Sequence, residues 1–214
     1  MTSNARVRRW YGVLAVVISV ALIGQLYLTI RDHHSVLNYF SYFTVQSNLL
    51  VLAMSLWFVR APGANGFGSQ LLRVAALTGI TVTGLVYGIV IAPTVHPTGA
   101  ALVFTVLFHY VSPAMAVLGF VLIGPRLAMG WRAMWFLVWP IAWLIYTMVR
   151  AVVSHPNYVR PDNSLSHYPY GFLDTGLHSQ SAVAIAIVLI TVLLIALAAG
   201  YIAASRRLGR RAAD

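Results

Sequence analysis

Residues 181–204, SAVAIAIVLITVLLIALAAGYIAA, decide the fold of this chain. The stretch contains no charged side chain, and as an α-helix it is long enough to cross the roughly 30 Å of hydrocarbon in a bilayer. Five further apolar stretches of similar length precede it, at residues 10–30, 37–59, 71–92, 101–123 and 131–153. The sequence therefore predicts an all-α, polytopic membrane protein, with six transmembrane helices in a single domain over residues 1–214.

The composition agrees with a chain that is solvated by lipid. Of its residues, 60% are hydrophobic and 8% are charged, whereas a soluble domain carries about 25% charged residues. The chain contains no cysteine, which excludes disulfides, cysteine-based metal sites and a cysteine nucleophile. The first apolar stretch is too long for the hydrophobic region of a signal peptide, so we expect an uncleaved first helix.

The distribution of arginine predicts that both termini lie in the cytoplasm. The chain contains no lysine, and with the N-terminus inside, eleven arginines flank inner helix ends and three (Arg31, Arg150 and Arg160) lie outside. Cytoplasmic loops of membrane proteins carry an excess of arginine and lysine. The long loop 154–180 lies on the arginine-poor side and is therefore expected to face out. The net charge of +10 could suggest nucleic-acid binding. The arginines form no motif that reads a groove of DNA or RNA, so no nucleic-acid partner is predicted. The alanine- and arginine-rich composition favours a bacterial plasma (inner) membrane.

Polar side chains are concentrated in the outer halves of the predicted helices. In the second helix, FSYFTVQSNLL places Thr44, Ser47 and Asn48 on one face, because they stand at i, i+3 and i+4. In the fourth helix, LFHYVSP contains His109 and, one turn deeper, Ser112. Polar groups within a span are costly and usually face protein or a cavity. Interhelical packing and hydrogen bonding are the structural alternative to a functional role.

Thr44 and His109 are expected to lie at matching depths. Thr44 is nine residues beyond Ser35, the expected start of its helix, and His109 is eight residues beyond Ala101. At about 1.5 Å per residue, these separations correspond to roughly 13 Å and 12 Å along the two helices. If the helices are neighbours, the hydroxyl meets the imidazole, and such a pairing activates a weak nucleophile.

Further polar groups lie towards the same outer ends of the helices: Tyr87, Tyr146, Arg150, Asp174 and His178. Three roles are open for Arg150. Its side chain extends to the membrane–water interface, it forms an ion pair with Asp174, or it binds a lipid carboxylate or phosphate. Asp174 is also the candidate to orient His109. A metal site of His109, His178 and Asp174 is conceivable, but the sequence favours no metal and no other cofactor.

Four segments together resemble a known family: FSYFTVQSNLLV at 40–51, TGLVYGIVIAP at 83–93, LFHYVSPAMAVLGF at 107–120 and YPYGFLD at 168–174. They are similar to the bacterial Pr-six-Pr membrane proteins, over nearly the whole chain. That family more distantly resembles the androgen-induced and androgen-dependent TFPI-regulating proteins, which are intramembrane threonine hydrolases of fatty acid esters of hydroxy fatty acids. The resemblance implies Thr44 as the nucleophile and His109 as its base. The animal motif lacks the Ser47-Asn48 pair, so the substrate is not carried over.

The sequence therefore predicts an intramembrane esterase that acts on a lipid ester and whose partners are membrane lipids. Asn48 is expected to orient the catalytic pair or to donate to the oxyanion, and Arg150 to hold a fatty acid carboxylate. The first alternative is a non-enzymatic lipid-binding or scaffolding membrane protein. The second is a small transporter, against which the almost purely aliphatic inner halves of the helices argue.

Overall fold

The computed structural model describes residues 3–160 and 164–210 and is helical apart from one short hairpin. Within these residues, six helices are long and apolar enough to cross a membrane, and we refer to them as the first to sixth spans: Asn4–Arg31, Phe43–Arg60, Phe67–Thr94, Gly99–Ile123, Trp131–Val153 and Gln180–Arg210. The prediction of an all-α protein with six spans is confirmed. The side of the bundle that faces the cytoplasm stays a prediction.

The spans are built from α-helices and from shorter π-helical and 3-10 turns. The α-helices are α1 (Ser3–Arg31), α2 (Val36–Ser41), α3 (Phe43–Arg60), α4 (Phe67–Val86), α5 (Gly99–Val106), α6 (Ser112–Leu118), α7 (Val138–Val153) and α8 (Gln180–Arg210). The π turns are Tyr87–Ile91, Leu107–Val111 and Gly119–Ile123, and the 3-10 turns are Ala92–Thr94, Trp131–Leu137 and Gly171–Leu173. Strands β1 (Tyr158–Val159) and β2 (Leu165–Ser166) pair antiparallel in the long loop.

The core of the bundle lies around α4, which packs against α3, α6 and α8, while α1 packs against α3. Tyr11, Phe58, Leu77 and Ile80 are fully buried there. Side chains on the outside of the spans are aliphatic and exposed, as lipid-facing positions are. The central position of α3 and α4 means that polar groups on their facing sides are shielded from lipid.

The continuous helix predicted over residues 37–59 is interrupted, because the chain is extended at Tyr42 and α3 starts at Phe43. We call α2 and α3 together the broken second span. Side chains bind the backbone carbonyls that the break releases. The indole Nε1 of Trp143 donates to the Ser41 carbonyl at 2.9 Å, and Gln46 Nε2 donates to the Phe40 carbonyl at 3.2 Å. Backbone groups at membrane depth need such partners, so these two contacts stabilise the break.

The first and sixth spans are longer than predicted. The first begins at Asn4 rather than residue 10, and the sixth continues to Arg210 rather than residue 204. Both extensions carry arginines, whose long side chains remain solvated while the helix continues into the headgroup region. Hydropathy locates only the apolar part of such a helix, which explains the short predicted ends.

Candidate functional site

Thr44 and His109 contact one another in the bundle. Thr44 is the second residue of α3, and His109 lies in the π turn Leu107–Val111 of the fourth span. Thr44 Oγ1 is 3.4 Å from His109 Nε2. The contact predicted from matching depth is therefore present, and both side chains are half-buried.

The tautomer of neutral His109 follows from its second ring nitrogen. His109 Nδ1 lies 2.9 Å from the backbone carbonyl of Thr105. A carbonyl only accepts hydrogen bonds, so Nδ1 carries the proton and Nε2 keeps its lone pair. That lone pair is directed at the Thr44 hydroxyl, which is the arrangement of a general base and an alcohol nucleophile. The expectation that Asp174 orients His109 is wrong, because the Thr105 carbonyl does so.

Two π turns face each other at this site. Tyr87 lies in the π turn Tyr87–Ile91, and its ring stacks on the His109 ring with centroids 3.9 Å apart and planes at 25°. Gly84 permits this approach, because a Cβ there would be 3.1 Å from the His109 carbonyl oxygen and 3.2 Å from the Pro113 side chain. Single π turns inside α-helices occur frequently at functional sites. Here they bring the imidazole under an aromatic ring and towards α3.

Asn48 and Ser47 brace the turn of α3 that carries Thr44. Asn48 Nδ2 donates to the Thr44 carbonyl at 2.9 Å and, at the long distance of 3.5 Å, to the Phe108 carbonyl beside His109. Ser47 Oγ donates to the Thr44 carbonyl at 3.0 Å and lies 2.8 Å from Thr83 Oγ1 on α4. The amide of Asn48 is thus directed at backbone carbonyls, which suits an orienting role and leaves no donor for an oxyanion.

Tyr170 is a site residue that the sequence analysis missed. Its hydroxyl oxygen accepts a hydrogen bond from the Thr44 backbone N–H at 3.2 Å and lies 3.3 Å from Thr44 Oγ1. The ring is held by a stacking contact with Phe172 and an edge contact with Tyr42. The signal was the aromatic segment YPYGFLD, which carried the resemblance but was given no chemical role.

An apolar cavity of about 180 Å³ adjoins Thr44 and Tyr170. The rest of its wall is largely aliphatic and comes from α4, α7 and α8, including Val82, Val86, Leu144, Ile187, Ile190 and Leu194. Ile141 of α7 and Ile195 of α8 also line it, and they are 54% and 42% exposed. The cavity therefore lies between α7 and α8 with exposed residues of both helices at its rim.

Arg150 forms a separate polar cluster near the break in the second span. Its guanidinium donates to Asn38 Oδ1 at 2.6 Å, Tyr158 OH at 2.8 Å and Ser41 Oγ at 3.0 Å. Tyr146 joins the cluster, with its hydroxyl 2.8 Å from Ser41 Oγ. The expected ion pair between Arg150 and Asp174 is wrong, because the arginine binds neutral groups on α2 and in the loop.

Asp174 stabilises the long loop instead. Its carboxylate forms an ion pair with Arg160 and accepts hydrogen bonds from Ser166 Oγ at 2.6 Å and the Gly176 N–H at 2.8 Å. Burial alone would raise the pKa of the Asp174 carboxyl, but these contacts outweigh it and hold the pKa below its usual range. Asp174 therefore remains charged at neutral pH and ties β2 to the segment that carries Tyr170.

The other predicted site residues do not join the Thr44–His109 pair. His178 is exposed, and Ser112 is buried with no hydrogen-bond partner for its hydroxyl within the described part of the chain. Residues 3–160 and 164–210 contain no group of three side chains that could hold a metal ion. No family model matches the chain, and neither a curated protein nor a solved structure matches it. The resemblance to Pr-six-Pr proteins stays a prediction.

Proposed function

We propose that this protein is an intramembrane hydrolase of lipid esters, with Thr44 as the nucleophile and His109 as its general base. The observation that carries the proposal is the directed contact between them. His109 Nε2 lies 3.4 Å from Thr44 Oγ1. Its lone pair is available to accept the hydroxyl proton, because the ring proton is on Nδ1, which donates to the Thr105 carbonyl. A formed catalytic hydrogen bond is about 2.6–3.2 Å long. The contact here is slightly longer, as is common before substrate binds.

The reaction takes two steps. Thr44 Oγ1 bonds to the ester carbonyl carbon, its proton passes to His109 Nε2, and the carbonyl electron pair moves to oxygen. Collapse of this intermediate expels the alcohol, which takes the proton from His109 and leaves an acyl-threonine. Water then attacks the acyl carbon while His109 accepts one of its protons. The bond between the acyl carbon and Thr44 Oγ1 breaks, His109 returns the proton to Oγ1, and the fatty acid leaves.

The cavity supports an acyl-chain substrate. Its wall combines one reactive hydroxyl with largely aliphatic side chains, so an acyl chain that enters from the bilayer stays in apolar surroundings. The exposed rim at Ile141 and Ile195 gives a lipid access from the side, between α7 and α8. A fatty acid ester of a hydroxy fatty acid fits this proposal, because its chains match the aliphatic wall.

The proposed location is the plasma (inner) membrane of a bacterium, with both termini in the cytoplasm. The eleven arginines at one set of helix ends and three at the other support this orientation. The catalytic pair would then lie in the outer half of the bilayer, beneath the long loop.

Non-enzymatic lipid binding is the second candidate function. The distance of 3.4 Å between Thr44 Oγ1 and His109 Nε2 also agrees with this function. Two side chains that only pack against each other do not need the shorter hydrogen bond of a catalytic pair. This protein would bind an acyl chain in the cavity without cleaving it.

Ester hydrolysis by the purified full chain in detergent tests the proposal. The substrates are 4-methylumbelliferyl acyl esters and fatty acid esters of hydroxy fatty acids. We expect wild type to be active and Thr44→Ala and His109→Ala to lose activity by about a thousandfold or more, as removal of a nucleophile or base does elsewhere.

Thr29→Ala is the matched control for this experiment. Thr29 lies in the first span away from the cavity, and its hydroxyl donates to the Gln25 carbonyl at 2.9 Å. It should retain wild-type activity. An inactive wild type that still binds fatty acid would replace hydrolysis with lipid binding. Full activity in the Thr44 and His109 variants would refute their role as the catalytic pair.

A further inference from the structure

The Tyr170 hydroxyl lies at the N-terminus of α3, where the second span is broken. Its oxygen accepts the Thr44 N–H at 3.2 Å. This backbone donor has no partner within the helix, since it belongs to the first turn. The oxygen of Tyr170 thus acts as an acceptor, and its own O–H hydrogen is left to donate elsewhere.

The direction of the remaining hydrogen bonds identifies where that hydrogen goes. His109 Nε2 is an acceptor, so Thr44 directs its hydroxyl hydrogen to it across 3.4 Å. Thr44 Oγ1 then has lone pairs free to accept from Tyr170 OH, 3.3 Å away. The result is a directed chain in which Tyr170 donates towards Thr44 and Thr44 donates towards His109.

We propose that Tyr170 is a third catalytic residue, whose hydroxyl donates the hydrogen bond that stabilises the oxyanion formed when Thr44 attacks an ester. This inference rests on the proposed hydrolase function. When Oγ1 bonds to the carbonyl carbon, the developing oxyanion is two bonds from Oγ1. The Tyr170 O–H, which already touches Oγ1, then rotates to this oxygen, and no bond of the tyrosine is broken.

Three features suit Tyr170 to this role. Burial raises the pKa of Tyr170, more than its contacts with Thr44 and Phe43 lower it, so the hydroxyl keeps its proton at neutral pH. The Thr44 N–H that binds its oxygen polarises the O–H and makes it a better donor. The ring is fixed by Phe172 and Trp143, so the donor is in position before the reaction.

Asn48 and Arg150, the two donors to which the sequence analysis gave a role in binding substrate or oxyanion, are already engaged. The amide of Asn48 is directed at the Thr44 and Phe108 carbonyls, and the guanidinium of Arg150 is directed at Asn38, Ser41 and Tyr158. Within the part of the chain that the structure describes, His109 and Tyr170 are the hydrogen-bond partners of Thr44 Oγ1. Since His109 is the base, Tyr170 is the donor that is in contact with the attacking oxygen.

The test is Tyr170→Phe in the full chain, assayed with 4-methylumbelliferyl decanoate. The substitution removes the hydroxyl and keeps a ring that can stack on Phe172. We expect kcat to fall about 10²–10³-fold, the usual loss of one oxyanion donor, with little change in KM. Tyr168→Phe is the matched control, because Tyr168 lies in the same loop and its hydroxyl contacts Thr175 rather than the site. It should keep the wild-type kcat.

A second measurement uses a trifluoromethyl ketone with a ten-carbon chain, which adds to Thr44 Oγ1 and forms a stable oxyanion. Its inhibition constant should rise in Tyr170→Phe by about the factor by which kcat/KM falls. An inhibition constant does not depend on the fraction of folded protein, so it separates an oxyanion role from a structural one. Unchanged inhibition, or unchanged kcat beside an inactive Thr44→Ala, would overturn the role of Tyr170 and leave the hydrolase proposal standing. An inactive wild type would refute both.

Discussion

At the scale of single residues, the site depends on neutral groups to orient its base. His109 is held by the Thr105 carbonyl and covered by the Tyr87 ring, and within residues 3–160 and 164–210 no carboxylate takes the place of the aspartate in a serine–histidine–aspartate triad. A carbonyl fixes the tautomer as an aspartate does, but it stabilises the imidazolium less. In a lipid-surrounded site, a neutral partner also avoids the cost of burying a second charge.

Gly84 gives the sharpest test of this geometry. A Cβ at Gly84 would be 3.1 Å from the His109 carbonyl oxygen, so Gly84→Ala should push the fourth span away and lengthen the Thr44–His109 contact. We expect a large loss of kcat and a loss of about 1–3 kcal/mol in unfolding free energy, as for other overpacked sites. Gly88→Ala is the control, since a Cβ there meets nothing within 4 Å. Equal activity of the two variants would contradict the close approach.

At the scale of elements, the long loop and the broken second span form one unit. The loop supplies Tyr170 to the N-terminus of α3, and β2 is tied to the following segment by the contacts between Asp174, Arg160 and Ser166. The free backbone groups at the break are bound by side chains from the loop, from α3 and from α7. Changes in the loop should therefore be felt at Thr44.

Asp174 gives this coupling a pH dependence. Its folded-state pKa lies below that of the unfolded chain, so its stabilisation is complete above the ordinary carboxyl pKa of about 3.9 and is lost as pH falls through the lower folded value. Asp174→Asn should increase cleavage of the loop by added protease at neutral pH and reduce hydrolysis. It should also remove the change in loop protection at acidic pH.

Asp32→Asn is the matched control, because Asp32 also pairs with an arginine, Arg31, but in an exposed position. Exposed ion pairs contribute little to stability, so this variant should behave as wild type. Loop protection that survives in Asp174→Asn would show that other contacts hold Tyr170.

The elements also show how far sequence reasoning reached. Apolar length predicted the six spans, and depth predicted that Thr44 meets His109, because both arguments use local spacing alone. The break at Tyr42 and the role of Tyr170 depend on partners more than a hundred residues away, Trp143 for Ser41 and Tyr170 for Thr44. The partner of Asp174 was misjudged for the opposite reason, because the hairpin brings the nearer Arg160 to it rather than Arg150.

At the scale of the whole molecule, six spans put both termini on one side and the long loop on the other. The distribution of arginine predicts that the loop side faces outward. The asymmetry has a functional meaning, because Thr44, His109 and Tyr170 all lie towards the loop side of the bundle. If Thr44 is acylated as proposed, the orientation of the chain would determine from which side of the membrane water reaches the acyl-threonine.

The chain contains no cysteine, so single cysteines report this orientation cleanly. Thr175→Cys lies in the long loop and Ala61→Cys follows the second span on the opposite side, and both positions are exposed. In intact bacterial spheroplasts, a membrane-impermeant maleimide should label Thr175→Cys at once and Ala61→Cys only after permeabilisation. The reverse pattern would invert the predicted topology.

The side opening between α7 and α8 has a consequence for how the protein meets its substrate. A lipid that enters there moves by two-dimensional diffusion and never leaves hydrocarbon, so its chain avoids a transfer cost of about 0.8 kcal/mol per methylene. Saturation should then follow the mole fraction of substrate in the bilayer, and diluting the vesicles in buffer should leave the rate per protein unchanged. The released fatty acid would return to the leaflet from which the ester came.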